Sequence, residues 1–156
     1  MNSDFRDLLK CFAKHKVRYL VVGGYAVIHY TQPRFTKDLD VWLEPTAANA
    51  RRSAAAMREF GVPLIEITES DLAQECTQFV IGRSPVQIDF LTSISPLKFA
   101  DCWKRRKTSR QDDFFMHYLS LEDLKMAKKH AGRQVDLADL EEIMRTAASS
   151  SKKRRS

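Results

Sequence analysis

The sequence predicts an α+β fold in which helices flank a mixed β-sheet and a pair of helices closes the chain. Segments whose apolar residues recur at helical spacing alternate along the chain with short, strand-like apolar runs. Two of these runs are separated only by residues 82–85, which contain Gly and Pro, and this spacing is typical of an antiparallel hairpin. The last two periodic segments, 120–132 and 135–148, both have helical spacing.

The first half of the chain is predicted to alternate between helix and strand. An opening helix is indicated by an apolar stripe at Phe5, Leu8, Leu9 and Phe12. An Ala-rich segment predicts a helix at 46–60, with Gly61 as its C-terminal cap. The remaining elements are a strand at 17–22, a short helix at 25–30, a strand at 38–44, and an edge strand at 62–67 in which Pro63 cannot donate a ladder hydrogen bond.

The second half contains the hairpin and the closing helices. Ser70 is predicted to cap a short helix at 71–75, and Ser95 with Pro96 to open another, since Pro is tolerated at the first helical position. Strands are predicted at 77–82, 85–91 and 114–119. Residues 1–148 are predicted to form one domain, and the polar, basic residues 149–156 a disordered tail.

Composition favours a soluble cytoplasmic protein. Hydrophobic residues make up 44% of the chain and charged residues 29%, as in soluble globular proteins. No apolar run approaches the ~20 residues that a membrane span needs, and the N-terminal residues lack the zones of a secretory signal. The three cysteines are scattered and odd in number, which indicates reduced thiols rather than a disulfide framework or a metal site.

The net charge of +6 permits a nucleic-acid partner without establishing one. Lys152, Lys153, Arg154 and Arg155 contribute four of these charges and leave +2 for the rest of the chain. A second basic cluster lies at 104–110. Both clusters could contact RNA phosphates, although a solvated face or a frayed tail has the same composition.

Three aspartates indicate a metal site. In the strand predicted at 38–44, Asp38 and Asp40 share one face, because side chains alternate along a strand. Asp89 is a further acid inside the apolar strand at 85–91. Three carboxylates on adjoining strands would suit two Mg²⁺ ions, which prefer oxygen ligands and bind partly through substrate phosphates. Each aspartate taken alone could instead cap a turn or pair with Arg34 or Lys37.

Two glycines precede the acidic strand at a point suited to phosphate. Gly23 and Gly24 lie between a predicted strand and a predicted helix, where free backbone N–H groups and the helix dipole attract anions. Gly-Gly is also an ordinary tight turn, and the pair matches neither glycine-rich phosphate-loop motif. The order of strand, Gly-Gly, helix and acidic strand therefore carries more information than the glycines themselves.

The two closing helices each place a charged residue within their apolar stripe. Lys128 falls between Leu121 and Leu124 in helical projection, in a helix that Ser120 begins with a predicted capping box to Asp123. Asp136 projects into the stripe predicted for the last helix, at Leu137, Leu140, Ile143, Met144 and Ala147. The two charged residues could form a salt bridge, Asp136 could be a plain N-cap, or the pair could bind a triphosphate or activate an acceptor.

These segments resemble the minimal form of the DNA polymerase β-type nucleotidyltransferase superfamily. The similarity is greatest to the branch of abortive-infection type IV toxin nucleotidyltransferases and their small uncharacterised relatives. The matching stretches cover somewhat under half of the chain, in family order: VVGGYAVIHY, RFTKDLDVWLE, VQIDFL and SLEDLKMAKKHAGRQVDLADLEEI. Many superfamily members have Gly-Ser where this chain has Gly23-Gly24, and the toxin members are usually longer.

The resemblance implies the nucleotidyltransferase fold and a set of residue roles. Asp38, Asp40 and Asp89 would be catalytic and would bind two Mg²⁺ ions. The NTP co-substrate would be held by Gly23, Gly24, Arg34, Thr36 and Lys128, and Asp136 would support catalysis together with Lys128.

The resemblance also implies transfer of NMP from an NTP to a hydroxyl acceptor. The leading prediction is an RNA acceptor, such as a tRNA end, in a toxin-like or toxin–antitoxin context with an antitoxin protein as partner. A second prediction is adenylylation of a small hydroxylated compound such as an antibiotic. A third, of a different class, is a non-catalytic antitoxin-like partner that keeps the fold.

Overall fold

A six-stranded mixed β-sheet forms the centre of the protein. The structure, a computed structural model, describes residues 1–83 and 85–155. The strands lie in the order β3-β4-β2-β1-β6-β5. β2 pairs with β4 and β1 with β6 in parallel, whereas the other neighbours are antiparallel. Their bounds are β1 Tyr19–Val22, β2 Asp38–Leu43, β3 Gln78–Arg83, β4 Val86–Leu91, β5 Lys107–Arg110 and β6 Phe115–Tyr118.

Seven helices accompany the sheet within the described ranges, and the last two form the predicted C-terminal pair. The α+β prediction is therefore confirmed. No helix in this part of the chain combines the length and the apolar character that a bilayer span requires. The helices are α1 Ser3–Lys14, α2 Gly23–Tyr30, α3 Ala47–Phe60, α4 Glu69–Leu72, α5 Phe99–Arg105, α6 Leu121–Ala131 and α7 Gln134–Arg155.

The core is built from the predicted faces of the first helices and the central strands. The stripe of α1 is fully buried, and α3 presents a small-residue face in which Ala54 and Ala56 have no exposed surface. Gly61 ends α3 in the left-handed conformation, as the sequence predicts. β1 is buried along its whole length, and the odd-numbered residues of β2 are buried with it: Leu39, Val41 and Leu43.

Asn49 is a buried polar residue that joins α3 to the start of the β1–β2 ladder. Its Oδ1 accepts a hydrogen bond from the backbone N–H of Arg18 at 2.7 Å. Its Nδ2 donates to the backbone carbonyls of Arg18 at 2.9 Å and Glu44 at 3.1 Å. The amide thus satisfies three backbone groups at once.

Replacing Asn49 with Ala should lower the free energy of unfolding by about 3 kcal/mol, because buried backbone groups then lose their partners. Urea denaturation followed by circular dichroism measures this change. Gln74→Ala is a suitable control, since the one hydrogen bond of the Gln74 side chain within the described residues is to the exposed Ser70 hydroxyl. An Asn49→Ala change below about 0.5 kcal/mol, the range of ordinary surface substitutions, would contradict the role given to this residue.

Three predicted elements differ from the structure. Residues 62–67 form a loop rather than an edge strand, with Ile65 84% exposed, because the chain leaves α3 through a hydrogen bond from Val62 N to Met57 O. Thr68, not Ser70, caps α4, in a reciprocal capping box with Asp71.

The helix predicted to open at Ser95 begins instead at Phe99. A turn closed by a hydrogen bond from Leu97 N to Ile94 O precedes it. Ser120 does begin α6, and its hydroxyl accepts from Asp123 N at 3.2 Å. The Asp123 carboxylate, predicted to complete a capping box, accepts hydrogen bonds from the Arg105 guanidinium instead.

β5 and the end of α7 were not anticipated. β5 is polar and pairs only with β6, and such an edge strand needs no apolar pattern. α7 continues as a helix to Arg155, through the segment predicted to be a disordered tail. The domain boundary placed at 148 stays a prediction. Ser84 and Ser156 lie outside the described residues.

Candidate active site

A cleft of about 1070 Å³ lies where the end of β1, the strands β2 and β4 and the helices α6 and α7 meet. Eight of the nine residues predicted for the site line it together. Thr36 is the exception, and its side chain packs against Gly24 at the edge of the cleft. The eight lining residues are Gly23, Gly24, Arg34, Asp38, Asp40, Asp89, Lys128 and Asp136.

The parallel pairing of β2 with β4 brings the three aspartates together. The register places Asp40 opposite Asp89 and Asp38 opposite Gln87. Because side chains alternate along each strand, all four side chains point to the same face of the sheet. Gln87 Nε2 donates to Asp89 Oδ1 at 3.0 Å and thereby orients that carboxylate. Gln87 was not predicted, because a polar residue on a strand face has no distinctive sequence signal.

The pKa of Asp40 reflects the proximity of the three carboxylates. Burial, together with the neighbouring charges of Asp89 and Asp38, raises the pKa of Asp40 to about 7. The positive charge of Lys128 acts in the opposite direction. A cation placed among the carboxylates would stabilise their charged forms.

Two polar atoms of this region are buried without a hydrogen-bond partner among the described residues. They are Asp38 Oδ1 and Thr36 Oγ1. Buried oxygen atoms of this kind are costly unless something pairs with them. Asp38 belongs to the aspartate cluster, so its orphaned oxygen is a free ligand position at the cluster.

The donor set fits Mg²⁺ as an ion shared with a phosphate substrate. Across residues 1–83 and 85–155, no three His, Cys, Asp or Glu side chains form a ready-made metal cage. Mg²⁺ seldom uses such a cage, since it keeps water molecules and binds through one or two carboxylates plus substrate phosphates. The unpaired Asp38 oxygen and the raised pKa of Asp40 are the features that such an ion would satisfy.

The two glycines allow the turn after β1 to lie directly against the aspartates. Gly23 has φ +64°, and a Cβ built on it would lie 2.1 Å from Asp40 Oδ2. A Cβ on Gly24 would lie 2.7 Å from Thr36 Cγ2. α2 begins at Gly23 itself, so the free N–H groups of its first turn belong to the wall of the cleft.

The opposite wall is an ion-pair network between α6 and α7. Lys128 faces inward, as predicted, with 11% of its side chain exposed. Its Nζ contacts Asp136 Oδ1 at 3.4 Å and Asp139 Oδ2 at 3.0 Å. The predicted Lys128–Asp136 salt bridge is therefore present, within a larger group.

Arg133 completes this network on the side of Asp136. Its backbone N–H and its Nε both donate to Asp136 Oδ2, at 3.2 and 2.7 Å. Burial opposes ionisation of Asp136, but the hydrogen bonds from Arg133 and the charge of Lys128 outweigh it and lower the pKa. Asp136 is thus an anion that anchors the α6–α7 turn, in addition to lining the cleft.

Asp139 holds the two predicted phosphate-binding side chains. Arg34 Nη1 lies 3.0 Å from Asp139 Oδ1, and Lys128 lies on the other oxygen of the same carboxylate. Asp139 and Arg133 were not predicted as site residues. The signal for both was in the sequence, since K-x-x-A-G-R ends at Arg133 and D-x-x-D ends at Asp139, one helical turn after Asp136.

Among the solved structures that resemble the chain, two do so over nearly its whole length. The lincosamide antibiotic adenylyltransferase LnuA, solved with lincomycin bound, superposes with a TM-score of 0.60 and 15% identity over 92% of this chain and 96% of that one. A Thermotoga maritima protein assigned to the nucleotidyltransferases superposes with a TM-score of 0.59 and 15% identity over 90% of each chain. Neither a protein-family model nor a curated protein sequence matches the chain. At these identities the likeness concerns the fold, and the chain has the nucleotidyltransferase fold.

Proposed function

We propose that the chain is a Mg²⁺-dependent nucleotidyltransferase that moves NMP from an NTP to a hydroxyl acceptor and releases pyrophosphate. The observation that supports this most is the meeting of three carboxylates with the Gly23-Gly24 turn and with Arg34 and Lys128 in one cleft. An acidic cluster beside a basic wall suits a substrate that is bound through both metal ions and phosphates.

Separate groups of residues would bind the metal ions and the phosphates of the NTP. Asp38, Asp40 and Asp89 would hold two Mg²⁺ ions, which when bound neutralise phosphate charge and lower the pKa of the acceptor hydroxyl. The N–H groups of the first turn of α2 would receive phosphate oxygens. Arg34 and Lys128 would exchange their ion pairs with Asp139 for contacts to the β- and γ-phosphates, which carry more negative charge than one carboxylate.

The reaction is an in-line displacement at the α-phosphorus. The acceptor oxygen forms a bond to the α-phosphorus as the bond to the bridging oxygen of the β-phosphate breaks, and pyrophosphate leaves. The hydroxyl proton passes to a carboxylate of the aspartate cluster. This chain's contribution is positioning and fixed charge, since it supplies no covalent intermediate.

We propose RNA, such as a tRNA end, as the acceptor, in a toxin-like or toxin–antitoxin setting with a protein partner. The basic segment 104–110 supports RNA contact, and the motif K-x-x-A-G-R followed by D-x-x-D supports the toxin-related branch. The three cysteines are free, which suits the reducing cytoplasm in which we place this activity.

A small hydroxylated compound is the second candidate acceptor. It is favoured by the similarity to a lincosamide adenylyltransferase, which extends over 96% of that protein and so involves a chain of comparable length. The aspartate cluster in the cleft, which is not neutralised by ion pairs within the described residues, would also suit a cationic compound: Asp38, Asp40 and Asp89.

An acceptor screen tests the proposal. The protein is incubated with Mg²⁺ and each of the four α-³²P-labelled NTPs, together with total RNA, a lincosamide, an aminoglycoside or a protein extract. We expect label to enter RNA and to depend on Mg²⁺. Label in an antibiotic alone would favour the second candidate, and absence of label in every fraction would contradict nucleotidyl transfer.

Arg34→Met should raise the KM for NTP by about tenfold to a hundredfold, because one charge-assisted contact to phosphate is lost. Steady-state kinetics with the labelled NTP measures this change. Lys37→Met is the matched control: it removes the same charge three residues later, from an exposed side chain that does not line the cleft. Equal KM values for the two variants would contradict the placement of Arg34 at the triphosphate.

A further inference from the structure

A second cavity, of about 870 Å³, lies at the start of β1, whereas the cleft lies at its end. Val17 and Tyr19 line this second cavity, and Val22 and Gly23 line the cleft. No residue lines both. At a rise of about 3.3 Å per residue, roughly 10 Å of strand separates the two ends of β1. We refer to the second cavity, lined by α1, β1, α5, β5 and β6 residues, as the basic cavity.

The basic cavity has an excess of positive charge. Five cationic residues and a single carboxylate, that of Asp113, belong to its lining: Lys10, Lys14, Lys16, Arg18 and Arg106. Lys10 pairs with Asp113 at 2.9 Å, Lys14 pairs with Glu59, and Arg18 pairs with Glu44 at 3.3 Å. The structure shows no ion pair for Lys16 or Arg106 with any carboxylate of the described ranges. These two cations are therefore available to an anionic ligand.

Arg106 is held in place without a counter-charge. Its guanidinium lies 3.8 Å from the centre of the Trp103 ring, and its Nη1 donates to the Trp103 carbonyl at 2.8 Å. Its Nε is buried and has no hydrogen-bond partner among the described residues. Burial and the charge of Arg18 both lower the pKa of Arg106. An anion bound beside the guanidinium would relieve the repulsion between the two arginines.

The same cavity offers aromatic surface. Trp103, Tyr19 and Phe115 belong to its lining, and Phe115 is 52% exposed. His117 lies between Tyr19 and Trp103, with ring centroids 5.5 and 5.1 Å away. Burial and the charge of Arg106 lower the pKa of His117 to about 4, so the ring is neutral at pH 7, and its Nδ1 lies 3.2 Å from Thr108 Oγ1.

Cations beside an exposed aromatic ring are the features by which proteins hold unpaired nucleotides, with phosphate on the cations and the base stacked on the ring. Phe115 supplies the exposed ring of this cavity, whereas Tyr19 is buried. The basic segment 104–110 contributes Arg106 and Thr108 to this cavity and no residue to the cleft. We propose that the basic cavity binds an unpaired nucleotide of a single-stranded RNA. This inference deepens the proposed function, since it gives an RNA acceptor a holding site apart from the catalytic cleft.

Fluorescence anisotropy with a labelled oligouridine of about twelve nucleotides, near the upper site size of small single-strand binders, tests the inference. The full chain is titrated without NTP and without Mg²⁺. We expect a Kd of about 1–100 μM at physiological salt. Arg106→Gln should weaken binding about tenfold, and Lys16→Glu about fivefold, through lost phosphate contacts.

Arg83→Glu is the matched control, because it changes net charge as Lys16→Glu does but lies on β3, at the opposite edge of the sheet. We expect its effect to remain below about twofold, since screening limits the reach of surface charges. Lys16 is exposed in a loop, so its variant keeps the test valid if Arg106→Gln alters folding. A photocrosslink from 4-thiouridine RNA should map to Phe115 or Trp103.

Failure of the RNA to bind, equal weakening by Arg83→Glu and Lys16→Glu, or equal competition by a duplex of the same sequence would each overturn the inference. The binding assay contains neither NTP nor Mg²⁺, and the basic cavity shares no lining residue with the cleft, so RNA binding is measured separately from NMP transfer. RNA binding at the cavity without NMP transfer in the cleft would therefore overturn the proposed function and leave the binding site standing.

Discussion

Asp40→Asn should reduce NMP transfer by at least about a thousandfold while the protein stays folded. Asp40 lies opposite Asp89 at the centre of the aspartate cluster, and Asn cannot supply its charge to a metal ion. Transfer is measured under single-turnover conditions with the labelled NTP that the wild-type chain uses. Undiminished transfer that still requires Mg²⁺ would contradict the assignment of the cluster.

The same substitution should not destabilise the metal-free protein, and this distinguishes a functional residue from a structural one. The folded-state pKa of Asp40 is raised to about 7, above the 3.8 of an unperturbed aspartate. The folded protein therefore retains a proton that the unfolded chain has lost, so stability falls as pH rises through this interval. Above pH 7 Asp40 costs folding free energy, on the order of 2–4 kcal/mol.

Urea denaturation at pH 5 and pH 8, in the presence of a chelator, measures this effect. We expect wild type to lose more stability than Asp40→Asn between the two pH values, so that the variant is the more stable protein at pH 8. Leu39→Ala is a contrasting control, because it removes a fully buried apolar side chain from the adjacent position. It should lower stability at both pH values. Identical pH dependence in wild type and Asp40→Asn would contradict the raised pKa.

Gly23→Ala should reduce NMP transfer by about a hundredfold or more, since displacing a catalytic group by 1 Å has effects of this size. The added Cβ would lie 2.1 Å from Asp40 Oδ2, so the carboxylate or the turn must move. The positive φ of Gly23 adds backbone strain of about 1–2 kcal/mol. Transfer kinetics and thermal unfolding of the same preparation separate the two effects.

Gly61→Ala is the matched control for the backbone strain. Gly61 also has a positive φ, at +101°, but a Cβ built there meets no atom within 4 Å. We expect this variant to lose stability and to retain wild-type kcat on the folded fraction. A proportional loss of kcat in both variants would show that strain, and not the contact with Asp40, accounts for the effect of Gly23→Ala.

Much of the site could be predicted because its residues interrupt regular patterns. Asp38, Asp40 and Asp89 stand out within apolar strands, and Lys128 stands out within an apolar helix face. The three aspartates meet through the parallel pairing of β2 with β4, a long-range pairing that no local pattern specifies. The resemblance to nucleotidyltransferases implied a mixed sheet and a common site for the three aspartates, and the fold agrees with both.

The last helix shows why other features could not be predicted. Its predicted apolar stripe is largely wrong, since Leu137 is 51% and Met144 59% exposed, whereas Asp136 and Asp139 are buried. Helical periodicity assumes that apolar residues face inward, but here the inward face is set by ion pairs with Lys128, Arg133 and Arg34. The D-x-x-D pattern, by contrast, marks the face of the helix that is buried.

The N-cap of α4 and the edge strand β5 were missed for other reasons. Thr68 and Ser70 are equally good N-cap residues by type, and the choice depends on Asp71 reaching back to the Thr68 N–H. β5 is recognisable only through its partner β6. The Thr68–Asp71 contact is local and its T-x-x-D spacing is visible in the sequence, whereas β5 requires a partner strand; neither element lines the cleft.

The most direct test of the aspartate cluster is the position of a bound metal ion. Crystals of the protein soaked with Mn²⁺ and a non-hydrolysable NTP are measured at a wavelength where manganese scatters anomalously. We expect an anomalous peak within about 2.5 Å of oxygen atoms from at least two of Asp38, Asp40 and Asp89. Peaks found only elsewhere, with the nucleotide bound outside the cleft, would contradict the metal-dependent mechanism.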